Sequence, residues 1–188
     1  RAFVWLGRLS PEKDPMLALE TFAALAGTLP DAHLTLHGDG PERGALSARI
    51  TALGVTGRVH LPGTTHDVPG ALAKADIFLC TSRAEGFGNA IVEAQAAGVP
   101  VLSVDCPHGP RSLLRDGEAG CLVASRDPKV LARRLVTYAE DQVNRQRHAR
   151  AARDTAARYT VAASLAEHLA LFQAVADGRP PPEVTAPY

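Results

Sequence analysis

Six short apolar runs, each followed by a glycine- or proline-marked corner and then a stretch of helical periodicity, limit what this chain can fold into. The runs lie at 2–6, 33–37, 59–61, 77–81, 99–104 and 121–123. Most lack the in–out alternation of a strand with one wet face, so they predict strands covered on both sides, as in a parallel sheet. Strands alternating with helices predict right-handed βαβ units. Asp14-Pro15 predicts a helix start, with aspartate as N-cap and proline at the first helical position. Met16, Leu19, Phe22, Ala23 and Ala26 then share one helical face, and Pro30 ends it. Asp127-Pro128 repeats that grammar. Further helices are expected from the Pro41 turn to about 53, at 67–74, at 90–97, briefly before Gly117, and at 130–140, 144–157 and 161–176. The expected fold class is α/β: a Rossmann-like doubly wound parallel sheet of about six strands, helices on both faces, and C-terminal helices. One domain is expected at 1–176, with a flexible, disordered tail at 177–188, where prolines cluster.

Charge narrows the partners. The 188 residues carry 20 basic and 20 acidic side chains, so no overall field draws the chain to nucleic acid. Its three cysteines, Cys80, Cys106 and Cys121, cannot all pair with one another and show no CxxC spacing; they read as reduced thiols of a cytoplasmic protein. No apolar run approaches the ~18–20 residues of a membrane span. The chain opens at Arg1, directly in a strand, which leads to the expectation of a piece cut near a domain boundary.

Ligands of such sheets sit outside the carboxyl ends of the strands, where the strand order switches. Three segments fall there: 7–13, 38–41 and 85–93. In the third, Glu85 lies in a strand-to-helix loop where Gly86 and Gly88 let the backbone approach a ligand closely. The next helix directs its free N–H groups and partial positive charge at that loop. A second carboxylate, Glu93, follows with seven residues between the two. Arg8 and Lys13, in the loop after the first strand, are either two solvated charges or a phosphate clamp. Their place on the same edge as Glu85 favours the clamp. An anion site beside carboxylates suits a sugar attached to a nucleotide.

In order along the chain, Gly7-Arg8-Leu9-x-x-x-Lys13, Gly38-x-Gly40-Pro41, and Glu85-Gly86-Phe87-Gly88 with Glu93 resemble the family-four retaining glycosyltransferases. That family has the GT-B fold, two Rossmann-like halves facing across a cleft, and the match covers its donor-binding half. The resemblance implies that Arg8 and Lys13 hold the donor diphosphate and that Glu85 orients the sugar by its hydroxyls. Gly7, Gly38, Gly40, Gly86, Phe87, Gly88 and Asn89 would shape the sugar–phosphate site, Glu93 would accept from the ribose, and Thr64 and Thr65 would lie near the base. It implies a hexosyl- or N-acetylhexosaminyl-type transfer from a UDP-linked donor, in glycan or cell-envelope synthesis. It implies same-face attack and no metal cofactor; the chain contains no Asp-x-Asp, and its seven histidines are scattered. The acceptor, a glycan, lipid-linked glycan or polyol, would meet an N-terminal domain absent from this chain. The implied location is the cytoplasm, with peripheral contact at the inner membrane face.

One segment departs from the pattern. Where many relatives carry Gly-Gly-x-x-Glu, this chain has Asp105-Cys106-Pro107-His108-Gly109-Pro110-Arg111-Ser112, which resembles a variant of polysaccharide- and teichoic-acid-type transferases, with serine in place of their glutamate. His108 is expected in solvent. Arg145, Arg147, Arg150 and Arg153 read as a solvated basic face, with anionic lipid as the lesser alternative. Trp5 and Phe87 are expected to pack. Two further functions stay open: a nucleotide-sugar-binding half-subunit inactive alone, and a nucleotide-sugar epimerase, which needs an acid and a base flanking the sugar. The absence of G-x-G-x-x-G after the first strand argues against a nicotinamide dehydrogenase.

Overall fold

The computed structural model describes residues 1–180. Six strands, β1 (Ala2–Leu6), β2 (His33–His37), β3 (Val59–Gly63), β4 (Ile77–Cys80), β5 (Val101–Val104) and β6 (Cys121–Val123), form one sheet in the order β3-β2-β1-β4-β5-β6. Every pairing is parallel. The order reverses between β1 and β4, so the crevice that doubly wound sheets offer to ligands opens there. β1 pairs with β2 along its whole length, Ala2↔His33 to Leu6↔His37. Its register with β4 is shorter, Phe3↔Ile77 and Val4↔Phe78.

The period of two along β1 divides the core. Phe3 and Trp5 join one apolar cluster with Leu34, Leu36, Ile77 and Leu79. Val4 joins the other with Phe78, Cys80 and Val101. The first face is closed by α1 (Pro15–Leu25), α2 (Arg43–Ala52) and α6 (Pro128–Glu140), and α6 packs along α1. The second is closed by α3 (Val68–Leu72), α4 (Asn89–Ala96) and α5 (Pro110–Leu113), with α7 (Gln142–Ala156) laid over α4. Each fully buried Phe, Leu or Ile contributes about 1.5–3 kcal/mol.

The elements follow the sequence pattern, with shifts at their ends. β3 runs on through Pro62 to Gly63; a proline is tolerated because β3 is an edge strand. α3 stops at Leu72, two residues short of Lys74, and α7 begins at Gln142, where Asp141 caps it through the Asn144 N–H at 2.9 Å. The two Asp-Pro starts differ. Asp127 caps from an extended backbone, φ −74°, whereas Asp14 caps from the left-handed region, φ 47° and ψ 58°.

Of the four arginines expected on a solvated face, Arg147, Arg150 and Arg153 are exposed, while Arg145 is half-buried. Arg145 donates to the carbonyls of Tyr138, at 2.8 Å, and Ala139, at the end of α6. Arg153 lies against Gly98, just past the end of α4. Arg147 binds Asn144 Oδ1 at 2.8 Å and His148 Nε2 at 2.9 Å. Helix C-termini draw guanidinium groups because their last carbonyls lack partners. Arg150 stays exposed.

The last helix, α8 (Val161–Ala176), carries exposed Val161, Leu165, Leu169, Phe172 and Val175. No helix among the described residues is long and apolar enough to cross a membrane. Asp177 caps α8 and Arg179 pairs with it at 2.5 Å; the rest of the expected tail, 181–188, lies outside the described residues.

Candidate functional site

Two turns zip together beneath the carboxyl edge of β1 and β2. Gly7 N–H donates to the His37 carbonyl at 3.1 Å, Leu9 N–H to Asp39 at 2.9 Å, and Glu42 N–H returns to Leu9 at 3.0 Å. Gly38, at φ 142°, sits so close that a methyl group there would lie 1.8 Å from the Gly7 carbonyl oxygen. Gly40 presses likewise on the Leu9 carbonyl, at 2.4 Å. These two glycines let one turn lie flat on the other.

A cleft of about 520 Å³ opens above them. One wall is Leu6 at the end of β1 with Gly7 and Lys13 after it, His37 at the end of β2 with Gly38 after it, and Thr64, Thr65 and Val68 after β3. The other is Glu85, Gly86, Phe87, Gly88, Asn89, Ala90 and Glu93, from the β4–α4 loop and the first turns of α4. Of the residues singled out in sequence, Arg8 and Gly40 do not line the cleft. Arg8 is exposed, and Gly40 shapes the turn below.

The walls meet in an ion pair. Lys13 Nζ lies 2.7 and 2.6 Å from the two carboxylate oxygens of Glu85, 72 residues away. Ser82 Oγ donates to Glu85 Oε1 at 2.6 Å, and the Glu85 side chain is 8% exposed. Beside the pair, Gly88 begins α4 at φ 104° with no side-chain cap. The first N–H groups of α4 therefore face the cleft without helical partners. Glu93 stands one turn further on, and desolvation raises its carboxyl above the usual value of 4.5. On the opposite wall burial, then Lys74, lower His37 below 6.5 and keep it neutral. His37 Nδ1 is buried with no hydrogen-bond partner among the described residues.

The divergent 105–112 segment braces the Glu85 loop from behind. Glu85 N–H donates to the Pro107 carbonyl at 3.2 Å. Gly109, φ 92°, lies so close to Phe87 that a methyl group would meet its carbonyl oxygen at 2.2 Å. Arg111 ties the segment down by pairing with Asp105 and, at 3.0 Å, with Asp116. His108 is exposed, at φ 59°. Phe87 packs edge-on against Tyr159 with ring centres 5.0 Å apart. Cys106, at the base, is pushed up to about 11 by burial, so its thiol stays protonated.

Beneath the pair lies a network that the sequence reading missed. Asp14 is the α1 cap, accepting from Leu17 N–H at 3.1 Å. Its Oδ2 also meets Arg83 at 2.7 Å and Arg126 at 2.8 Å. Arg126, from the β6–α6 loop, donates further to the carbonyls of Thr81 and Ser82, both at 2.8 Å. Thr81 Oγ1 donates to the Asp14 carbonyl at 2.8 Å and accepts from Trp5 Nε1 at 3.1 Å. Three loops from three strands are thus fixed around one carboxylate directly beside Lys13. These charges hold Asp14 in the left-handed conformation, which aspartate tolerates better than most residues. The available signal was Arg126 in a loop at the same sheet edge.

A family model described as glycosyl transferases group 1 matches residues 1–155. The chain is similar to the lipopolysaccharide core biosynthesis glycosyltransferase LpsE of Rhizobium meliloti (strain 1021), 38% identical over 150 residues, covering 80% of this chain and 43% of that protein. Among solved structures it resembles Anabaena HepE in complex with UDP, at TM-score 0.82 and 27% identity, over 93% of this chain and 48% of that one. It also shares its fold with the C-terminal domain of a group 1 glycosyl transferase, LpcC, from Francisella tularensis, at TM-score 0.74 and 22% identity, over 84% of this chain and 85% of that one. The chain thus spans less than half the length of LpsE and HepE.

Proposed function

This chain belongs to the group 1 glycosyl transferases, and we propose that it is the donor half of an enzyme that moves a sugar from a nucleoside diphosphate sugar, UDP-linked, to an acceptor hydroxyl with retention of anomeric configuration. The observation that carries this is the meeting of Lys13 and Glu85 across the sheet's switch point, 2.6 Å apart and beside the uncapped start of α4. A diphosphate laid over Gly7, Gly38 and Gly88 has Lys13 on one side and the α4 N–H groups on the other. Glu93 faces the ribose, Thr64 and Thr65 the base, and Glu85 the sugar hydroxyls.

When the sugar–phosphate bond breaks, the diphosphate gains negative charge. Lys13 and the α4 amides are already fixed around it, so they stabilise the transition state more than the ground state. In this reading they supply the positive charge without a metal cofactor. The departing phosphate takes the acceptor's proton on the face that the acceptor attacks, and Glu85 steers the sugar without acting as a base. Arg8 joins the diphosphate by turning in from the rim. The acceptor, a glycan, lipid-linked glycan or polyol, meets a second Rossmann-like half in the longer protein, so the present chain alone binds donor and transfers negligibly.

Calorimetric titration with UDP, other nucleoside diphosphates and inorganic diphosphate tests the reading. Lys13→Ala is expected to weaken every diphosphate by about tenfold, the scale of one charge-assisted contact, and Arg8→Ala to weaken them all alike. Glu93→Gln is expected to weaken the ribonucleotides and spare inorganic diphosphate. A wild-type chain that binds no nucleotide, or variants that all bind like it, would overturn the assignment.

A further inference from the structure

Within the donor reading just proposed, we infer that the Lys13–Glu85 pair discriminates between the intact nucleotide sugar and the free nucleoside diphosphate, admitting the first and expelling the second. Lys13 Nζ is bound to both oxygens of Glu85 at 2.7 and 2.6 Å. The Glu85 side chain is 8% exposed and that of Lys13 is 33% exposed. Among the described residues, the side-chain partner of that carboxylate apart from Lys13 is Ser82 Oγ, at 2.6 Å on Oε1. The pair lines the cleft that the diphosphate would enter. A ligand that draws Lys13 toward itself therefore takes charge compensation away from a nearly dry carboxylate, which is costly unless something replaces it.

The two ligands differ in what they offer instead. A nucleotide sugar brings hydroxyl donors to Glu85, and its substituted terminal phosphate carries less charge than a free one. As the glycosidic bond breaks, the sugar itself becomes positive beside Glu85. Through binding and reaction the carboxylate thus has a donor or a positive neighbour in place of the ammonium. Free diphosphate removes the sugar and adds a charge. It competes for Lys13, leaves Glu85 with Ser82 as its side-chain partner among the described residues, and sets two anions against each other. The same pair that readies Lys13 for the leaving group thereby weakens the product complex once the sugar has gone.

Calorimetry on the wild-type chain, Glu85→Gln, Lys13→Ala and the double variant, with UDP, UDP-glucose and uridine as probes, tests this. Glu85→Gln is expected to bind UDP about tenfold more tightly, the scale of one close charge pair. Uridine should be unaffected, and the preference for UDP-glucose over UDP should fall by a similar factor. Glu85→Asp, whose shorter side chain draws back from Nζ, is expected to move UDP in the same direction and serves if the glutamine variant does not fold. In the Lys13→Ala background, Glu85→Gln should tighten UDP less than it does in the wild-type chain, because only the direct repulsion between carboxylate and diphosphate is left to relieve. Unchanged or weaker UDP binding by Glu85→Gln overturns the inference. So does full tightening in the Lys13→Ala background, which would mean bare repulsion by the carboxylate without any hold on Lys13. Wild-type chain that binds none of the three probes overturns the donor reading as well, whereas normal binding with an unaltered UDP-glucose preference overturns this inference alone.

Discussion

Two arginines share the same oxygen of Asp14, yet their removal should differ several-fold in cost. Arg126 makes three bonds at 2.8 Å: one to Asp14 Oδ2 and one each to the carbonyls of Thr81 and Ser82. Thr81 and Ser82 are 0% and 3% exposed. Arg126→Ala therefore strips two buried carbonyls of a charged donor, and each orphaned acceptor costs about 1–3 kcal/mol. The discount is for water, because the guanidinium's own site is 31% exposed and solvent can refill part of it. Asp14 keeps Arg83 and the Leu17 N–H. The net expectation is a loss of about 2–3 kcal/mol. Arg83 meets Asp14 at 2.7 Å, but its side chain is 62% exposed, so Arg83→Ala should cost about 0.5 kcal/mol or less, the range of surface pairs. In urea melts followed by circular dichroism, Arg126→Ala should lower the midpoint by about 1 M, taking a slope of about 2–3 kcal/mol/M for a chain of this size, and Arg83→Ala by a few tenths. Equal losses, or a larger one for Arg83→Ala, would show that the carbonyl bonds contribute nothing and that the network acts through Asp14 alone.

The glycine turns give a steric prediction: Gly38→Ala should cost more than about 3 kcal/mol, as backbone meets backbone, while Gly54→Ala, also at positive φ but where the added methyl would meet no non-neighbouring described residue within 4 Å, should cost about 1–2 kcal/mol for the left-handed conformation alone. Similar thermal shifts in the two variants would contradict the zipped-turn geometry. Acid should find His148, whose folded form is held neutral by burial and then by Arg147. With its folded value lowered, the unfolded chain takes up a proton near pH 6.5 that the folded chain refuses, so stability is intact above 6.5 and declines as pH falls below it. His148→Gln should flatten the fall in urea midpoint between pH 7.5 and 5.5; His37 is lowered in the same sense and will keep part of the slope.

The strands were legible because their apolar runs cannot sit anywhere but inside a covered sheet, and the edge rule then gathered residues far apart in sequence. Lys13 and Glu85 came together on that logic, whereas Glu93 was tied to Glu85 by its spacing and Thr64 was placed by the family resemblance alone. Arg126 escaped it because its partner was already accounted for. Asp14 before proline reads completely as a helix cap, and nothing local says that the same carboxylate also answers to a loop 112 residues on. Arg145 was misread for a related reason: an arginine on a basic helix face looks solvated until the end of α6 is known to lie against it. Gly40 was grouped with Gly38 as part of the site, since a close approach to a ligand and a close approach to a neighbouring turn demand the same residue. Only coordinates separate the two.

The switch between β1 and β4 has a consequence for how this domain could be taken apart. Every strand before residue 64 lies on one side of that seam, and every strand after it lies on the other. The seam is bridged by the short β1–β4 register and by α6 lying on α1. A chain severed between β3 and β4 would leave two three-stranded pieces, one carrying Lys13 and the other Glu85, with half a pocket each. Ligand could then bind only the rejoined pair, and its concentration would set the extent of rejoining. A ligand that needs both halves of the cleft would favour the rejoined pair over the separated pieces.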